Sequence, residues 1–314
     1  MTAPPSFARV LCLSRRTMAG LTVALGLGLA SVVPAAAELR PSVAVPEAAP
    51  ALWVVRDADS TLYLFGTLHF LRPGTTWRDA RIDAAFNSAS ELVLEIADAN
   101  DTSAVMPLIQ AHGMSPDRPL SSLLSADEMA RLDAAAHSMG QSAAQMDPMR
   151  PWLATVILSA APTLRAGFAP DSGVDLALRA AALADGKTVS GFETPDVQIR
   201  MLSGFSEDGQ LIGLRRALDA FDAAPVELEA LVDAWARGDI DAIDATTVKP
   251  MRARSETLYQ ALLVERNQNW ADQIEARLAG AGTSFIAVGV LHLTGEDSVQ
   301  RQLAARGVTV ERLR

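Results

Sequence analysis

The sequence predicts an α/β (α+β) protein, a central mixed sheet built from N- and C-terminal strands around a large helical middle region. Three observations predict it. Short apolar runs rich in β-branched and aromatic residues lie near both ends of the chain, at 52–65 and 284–288. Between them, residues 196–280 read almost wholly as helix. Later strand-like runs alternate with helical ones, while the first two are joined by a short polar turn, which together imply mixed pairing.

Taken in order, Leu52-Trp53-Val54-Val55 and Thr61-Leu62-Tyr63-Leu64-Phe65 flank the turn Asp57-Ala58-Asp59-Ser60 and predict a hairpin. Leu92 to Ile96 predicts a third strand. Ser125-Ala126-Asp127-Glu128 has the form of a capping box and opens a helix to about Met139. Further helices are expected over about 152–164 and 174–183, with a strand over 187–192. Ser284 to Val288 is continuously apolar after its serine, the pattern of a buried strand. A helix over about 296–306 and a last strand near Val308-Thr309-Val310 close the chain. The expected organisation is a single domain over 51–314 with a helical insertion at about 100–280, after a Pro- and Ala-rich lead-in over 38–50.

Residues 1–37 read as a signal peptide. Arg9, Arg15 and Arg16 precede an apolar run from Met18 to Val33, which ends at the A-x-A site Ala35-Ala36-Ala37. The pair in Ser14-Arg15-Arg16-Thr17-Met18 also suggests the twin-arginine route. The expected location is therefore periplasmic or secreted, with no membrane attachment after cleavage. Cleavage would carry the formal charge from −10 to −13, an acidic balance that argues against nucleic acid or anionic membrane as partner. Cys12, the only cysteine, lies within this leader, so the mature chain has no disulfide, thiol nucleophile or thiolate ligand.

The chemistry appears where the two ends of the chain resemble each other. Leu62-Tyr63-Leu64-Phe65-Gly66-Thr67-Leu68-His69 and Phe285-Ile286-Ala287-Val288-Gly289-Val290-Leu291-His292 are each an apolar strand, a glycine at its exit, two residues and a histidine. Each places an imidazole just past the carboxyl end of a strand, where α/β sheets put their sites. The other two histidines differ: His112 precedes Gly113 in an expected loop, and His137 lies on an Ala-rich helix, both read as surface residues. In Glu91-Leu92-Val93-Leu94-Glu95-Ile96, alternation sets Glu95 at the far end of the strand, opposite in facing to Leu92 and Leu94. Two imidazoles and a carboxylate are a common ligand set for a divalent transition metal. Finally, Leu258, Leu262, Leu263, Trp270, Ile274 and Leu278 form a stripe of helical period, and Arg266 falls near its middle, with Asn267 also inside it. An arginine on a buried face calls for an anionic partner, whether a structural salt bridge or a ligand's negative charge.

These motifs together resemble the TraB/GumN family, which includes the Tiki-type metalloproteases. The resemblance runs from Leu52 to Leu313. It rests on both G-x-x-H motifs, Glu95, Gly173-Val174-Asp175, Gly191-Phe192-Glu193-Thr194 with Gln198, and Glu265-Arg266-Asn267 with Trp270. Phe192 departs mildly from the Leu usual there. The resemblance implies a fold shared with erythromycin-esterase-like and ChaN-like proteins, and a metal-assisted hydrolytic site. Its expected metal ligands are His69, His292 and Glu95, around manganese, cobalt or zinc. Glu95 is ligand or water-activating base, Arg266 gives electrostatic support, and Glu193 is a further candidate for the reaction. The expected activity is cleavage of a peptide or small-molecule substrate. The same fold also admits a non-catalytic periplasmic protein that binds a metal or haem.

Overall fold

A computed structural model describes residues 48–99 and 101–314. The expected signal peptide, its cleavage site and most of the lead-in lie outside the described residues. Among the described residues no helix is long and apolar enough to cross a membrane.

The architecture is mixed α/β, with one six-stranded sheet in the order β4-β3-β5-β2-β1-β6. The strands are β1 (Leu52–Arg56), β2 (Ser60–Thr67), β3 (Glu91–Ile96), β4 (Thr188–Glu193), β5 (Gly282–Gly289) and β6 (Val310–Leu313). β1 and β2 form the expected antiparallel hairpin, its turn held by the Asp57 carboxylate, which accepts from the Ser60 backbone N–H at 2.8 Å. β6 adds antiparallel to β1. The remaining neighbours, β2 with β5, β5 with β3 and β3 with β4, are all parallel, so four adjacent strands end on the same edge. In the register of β2 and β5, Gly66 lies beside Val288 and Thr67 beside Gly289, which brings the two G-x-x-H segments together at that edge.

The described residues form two compact groups. One comprises Ala99–Ala166 and Pro195–Pro225 and is built of helices, including α2 (Thr102–His112), α3 (Ala126–Ser138), α4 (Pro151–Arg165), α6 (Pro195–Gly204) and α7 (Glu207–Asp219). The capping box at Ser125 and Glu128 is present and starts α3. The core of this group is aliphatic with Trp152 and Phe221, and Met146 is fully buried in it. His112 is the last residue of α2 and half-buried, rather than standing in a surface loop, because the helix runs up to its C-cap, Gly113. His137 is on α3 and exposed, as its sequence context predicts.

The other group holds the sheet, together with α1 (Ala80–Ser88), α5 (Val174–Ala184), α8 (Ala224–Ala236, assigned here from Val226 on), α9 (Glu265–Leu278) and α10 (Val299–Ala305). Apolar residues cover both sheet faces. On one face Phe65, Phe285, Phe86, Trp77 and Trp235 pack ring against ring, and Trp235 Nε1 donates to the Gly66 carbonyl at 2.8 Å. On the other, Val93, Ile286 and Val288 pack with Trp270 and Ile274 of α9. Full burial of each such side chain contributes about 1.5–3 kcal/mol. The stripe over 258–278 is not one uniform α-helix: a π-helical turn, Gln260–Val264, runs directly into α9. A second π turn covers Asp244–Val248. π turns are rare and collect at functional sites, and the turn Gln260–Val264 ends with only Glu265 between it and Arg266.

Candidate functional site

The site lies at the carboxyl edge of the four parallel strands. Each strand delivers one candidate: His69 follows β2, Glu95 is the penultimate residue of β3, Glu193 ends β4 and His292 follows β5. Helix α9 supplies Arg266, Asn267 and Trp270 from the sheet face that Val93 and Glu95 share. All the site residues singled out in the sequence therefore meet in one sheet-bearing group.

Arg266 is the hub. Nε donates to Glu193 Oε1 at 2.8 Å, and Nη2 donates to Glu193 Oε2 at 3.0 Å and Glu95 Oε2 at 2.7 Å. Nη1 donates to the Leu262 carbonyl at 3.2 Å and to His292 Nε2 at 3.0 Å. A guanidinium has five N–H groups, and these bonds use all of them. Its face lies on Trp270, 4.7 Å from the ring centroid, and Trp270 Nε1 donates to Glu193 Oε1 at 2.9 Å. Phe192, the position that departs from the family pattern, stacks on the Trp270 ring, their centroids 5.3 Å apart. Burial disfavours the arginine's charge, but Glu95 and Glu193 outweigh that and raise its pKa. The negative partner required by an arginine on a buried face is thus supplied by the protein itself. Its effect on any further negative charge acts through space rather than through a free N–H.

Glu95 is equally constrained. Oε2 accepts from Arg266, and Oε1 accepts from the Gly289 backbone N–H at 2.8 Å. Burial alone would push its carboxyl up; Arg266, then His292, His69 and the Gly289 N–H, hold it well below the usual carboxylate range.

The two histidines are held differently. His292 is buried, with its ring 4.3 Å from Trp270, and Nδ1 lies 2.6 Å from Asn267 Oδ1. Asn267 Nδ2 donates to the Asp297 carbonyl at 2.8 Å, which fixes Oδ1 as the atom facing the histidine. Nδ1 therefore carries the proton and Nε2 is an acceptor, filled by Arg266. Burial and then Arg266 push His292 down to about 3, against the pull of Glu95, so it is neutral. His69 is a quarter exposed, and its Nδ1 pairs with Asp175 Oδ1 at 3.2 Å. Burial lowers its pKa, but the charge and hydrogen bond of Asp175 and the charge of Glu95 carry it up to about 9, so it is an imidazolium at neutral pH. Asp175 reaches it from the first turn of α5, whose N-terminus comes close because residue 173 is glycine. A Cβ there would run into the His69 carbonyl.

Gly289 opens the centre of the site. A Cβ at this position would lie 2.9 Å from Glu95 Oε1, 3.7 Å from His292 Cδ2 and 3.9 Å from His69 Nε2. His69 Nε2 and Glu95 Oε1 thus face the same small gap. As donors for a divalent transition metal, these two are of the right kind and share a space. His292 Nε2 is not available in this arrangement, because a cationic Arg266 N–H occupies its lone pair. Among the described residues no group of three or more His, Asp or Glu side chains is placed to hold a metal ion. The three expected ligands are adjacent, but as they stand they do not fit a three-ligand centre.

The roles of Asp175 and Asn267 were not read from the sequence, although both lie in its singled-out segments. For Asp175 the signal was present: a glycine followed by an acidic residue in the first turn of a helix. What the sequence lacked was the pairing of that turn with the exit of β2, through the Val174 N–H to the Leu68 carbonyl at 2.9 Å.

The arrangement defines a class: an α/β protein whose parallel strand ends gather a histidine–aspartate pair and a carboxylate–arginine–carboxylate cluster. The chain belongs to the TraB/PrgY/gumN family, whose family model matches residues 51–312. It is similar to the uncharacterized protein YbaP of Escherichia coli (strain K12), with 23% identity over 256 residues, covering 81% of this chain and 92% of that protein. It is also similar to an uncharacterized protein of Treponema pallidum (strain Nichols), with 24% identity over 261 residues, 79% of this chain and 78% of that one. No solved structure matches the chain.

Proposed function

We propose that this protein is an exported, peptidase-like hydrolase that works at the gap beside Gly289. The observation that carries this reading is the convergence of His69 Nε2 and Glu95 Oε1 on one space, one on an imidazolium and the other on a carboxylate. Such a pair supplies a proton donor and an acceptor within one small volume, the requirement for adding water across an acyl bond. His69, oriented by Asp175, gives its Nε2 proton to the oxygen or nitrogen that gains charge. Glu95 Oε1 orients the attacking water. Its low basicity makes it a relay rather than a final base: the proton that the water loses passes across Glu95 to refill His69 Nε2 once His69 has given its own to the leaving group. Arg266 fixes the carboxylate that does this and lends positive potential. The resemblance to Tiki-type proteases favours a peptide bond, and the leader expected at residues 1–37 favours the periplasm or exterior.

A metal-dependent form of this reading, and the metal- or haem-binding alternative, rest on the donor types at the gap, where His69 Nε2 and Glu95 Oε1 share one space. Manganese, cobalt or zinc held by His69 and Glu95 would supply Lewis acidity, with His292 joining only if released by Arg266. The test is a screen of peptide and ester libraries with and without added metal and chelator, beside metal analysis of residues 38–314. Hydrolysis lost in both His69→Ala and Glu95→Gln supports the proposal, and chelator sensitivity selects its metal-dependent form. Metal or haem retained by a wild type that cleaves nothing would favour the binding protein. A wild type that neither cleaves nor retains metal would overturn both.

A further inference from the structure

We infer that the two G-x-x-H histidines are not equivalent: His69 is the reacting histidine, and His292 is a positioning residue that holds Arg266. Sequence repetition makes the two look like a matched pair, and the geometry separates them. His292 has both ring nitrogens committed inside the protein, Nδ1–H to Asn267 Oδ1 and Nε2 to the Arg266 N–H. It has no nitrogen left for a substrate. His69 has one nitrogen committed, Nδ1 to Asp175, and the other faces the gap.

The difference has structural causes on each side. His292 sits in a short 3-10 turn, Val290–Leu293, that presses its ring against Trp270. Its partner Asn267 is anchored in turn by the Asp297 carbonyl, and the Asp297 carboxylate accepts from Tyr259 Oη at 2.7 Å. This chain runs from Tyr259 to Arg266 and spans the π turn Gln260–Val264. The π turn ends one residue short of Arg266, with Glu265 between, and the Leu262 carbonyl inside it is one of the five acceptors around that arginine. His292 is therefore the inner end of a rigid chain whose other product is the orientation of Glu95 through Arg266. On the His69 side, a single carboxylate on the first turn of α5 holds a ring that is partly open to solvent.

The unequal functional roles presuppose that the site is a reaction centre, as proposed above; the two tautomers do not. With only four histidines in the chain, nitrogen-15 correlation spectra of the full chain, labelled at histidine, resolve each ring. His112→Gln and His137→Gln, both away from the site, give the assignment by elimination. At neutral pH His292 is expected as the Nδ1–H tautomer with a bare, hydrogen-bonded Nε2. His69 is expected to carry a proton on Nδ1. Added zinc is expected to give a ligation shift at His69 Nε2 or at neither histidine. A proton on His292 Nε2, or a ligation shift there on zinc addition, overturns the inference. Asp175→Asn should remove the hydrogen bond at His69 Nδ1 and shift that nitrogen's signal while leaving the tautomer of His292 unchanged, and a matched change in both would also overturn it. Libraries in which nothing is cleaved would defeat the hydrolase reading while leaving the tautomer result intact.

Discussion

Asn267 Oδ1 and His292 Nδ1 lie 2.6 Å apart, and this one bond decides which nitrogen of the histidine faces Arg266. The amide is itself oriented by the Asp297 carbonyl, so the tautomer of His292 is set two residues away from the guanidinium it serves.

Replacing Asn267 by leucine keeps the volume and removes both bonds. It leaves the buried ring N–H of His292 without a partner, at a cost of about 1–3 kcal/mol, and frees the half-buried Asp297 carbonyl. Denaturant unfolding should show a midpoint loss of that order, with the slope unchanged. A loss below 0.5 kcal/mol, the usual range for surface substitutions, would mean that water replaces the amide.

Arg266→Met should be the most damaging single change at the site. It strands Glu95 and Glu193 in a buried setting, and removing one partner of a buried ion pair costs about 3–5 kcal/mol. Arg266→Lys should fall between, since an ammonium has three donors where five acceptors are arranged around a planar fork. Thermal and denaturant unfolding of both variants measure the order. Equal stability of Lys and Arg would argue that the planar geometry is immaterial.

Much of this cluster was legible in the sequence. The G-x-x-H motifs located His69 and His292 because strand, glycine and histidine are all local signals. Alternation in β3 was enough to face Glu95 away from Leu92 and Leu94, and Val93 does share its face in the core. Helical period put Arg266 inward even though a π turn precedes it, because its neighbours Trp270 and Ile274 belong to the regular helix α9. The partners were not legible. Glu193 against Arg266, Asp175 against His69 and Asn267 against His292 are contacts between elements distant in sequence, and no periodicity encodes which strand order brings them together. The last helix, expected over 296–306, is shorter, Val299–Ala305, because Thr294 to Ser298 form a turn about Gly295 at φ +85°.

Stability should depend on pH through His292. Its pKa is near 6.5 in the unfolded chain and about 3 in the fold, so between these values the unfolded state binds the extra proton. Stability is then fully present above about pH 6.5 and falls as pH drops towards 3, by about 1.4 kcal/mol per pH unit for this one group. Unfolding curves at pH 7, 6 and 5 of the wild type and His292→Gln should diverge in slope accordingly. Parallel curves would show that the ring is protonated in the fold.

His69 gives the opposite limb. Its folded pKa is raised from 6.5 to about 9, so its contribution to stability is present below pH 6.5 and is lost as pH rises through 9. If its imidazolium is the proton donor, hydrolysis should likewise decline above about pH 9. Asp175→Asn removes the main raising influence and should move that decline to lower pH. A pH–rate profile unchanged in Asp175→Asn would remove His69 from the reaction. In His69→Ala, loss of a general acid predicts a fall in kcat of about 10²–10⁴-fold.

Gly289→Ala separates the gap from the fold. The backbone at Gly289, φ −50° and ψ 134°, is open to alanine, so the substitution carries no conformational strain. Its methyl group would stand 2.9 Å from Glu95 Oε1, in the space that His69 Nε2 also faces. That contact is too short to keep, so Glu95 must shift or the strand must give way by a few tenths of an ångström, at a cost of about 1–3 kcal/mol. The expected variant is folded, with its unfolding midpoint lowered by no more than that cost, and unable to hydrolyse substrate or to take up a metal between His69 and Glu95. Full activity in Gly289→Ala would mean that the reacting atoms sit elsewhere along the strand edge, outside the space between the imidazolium and the carboxylate.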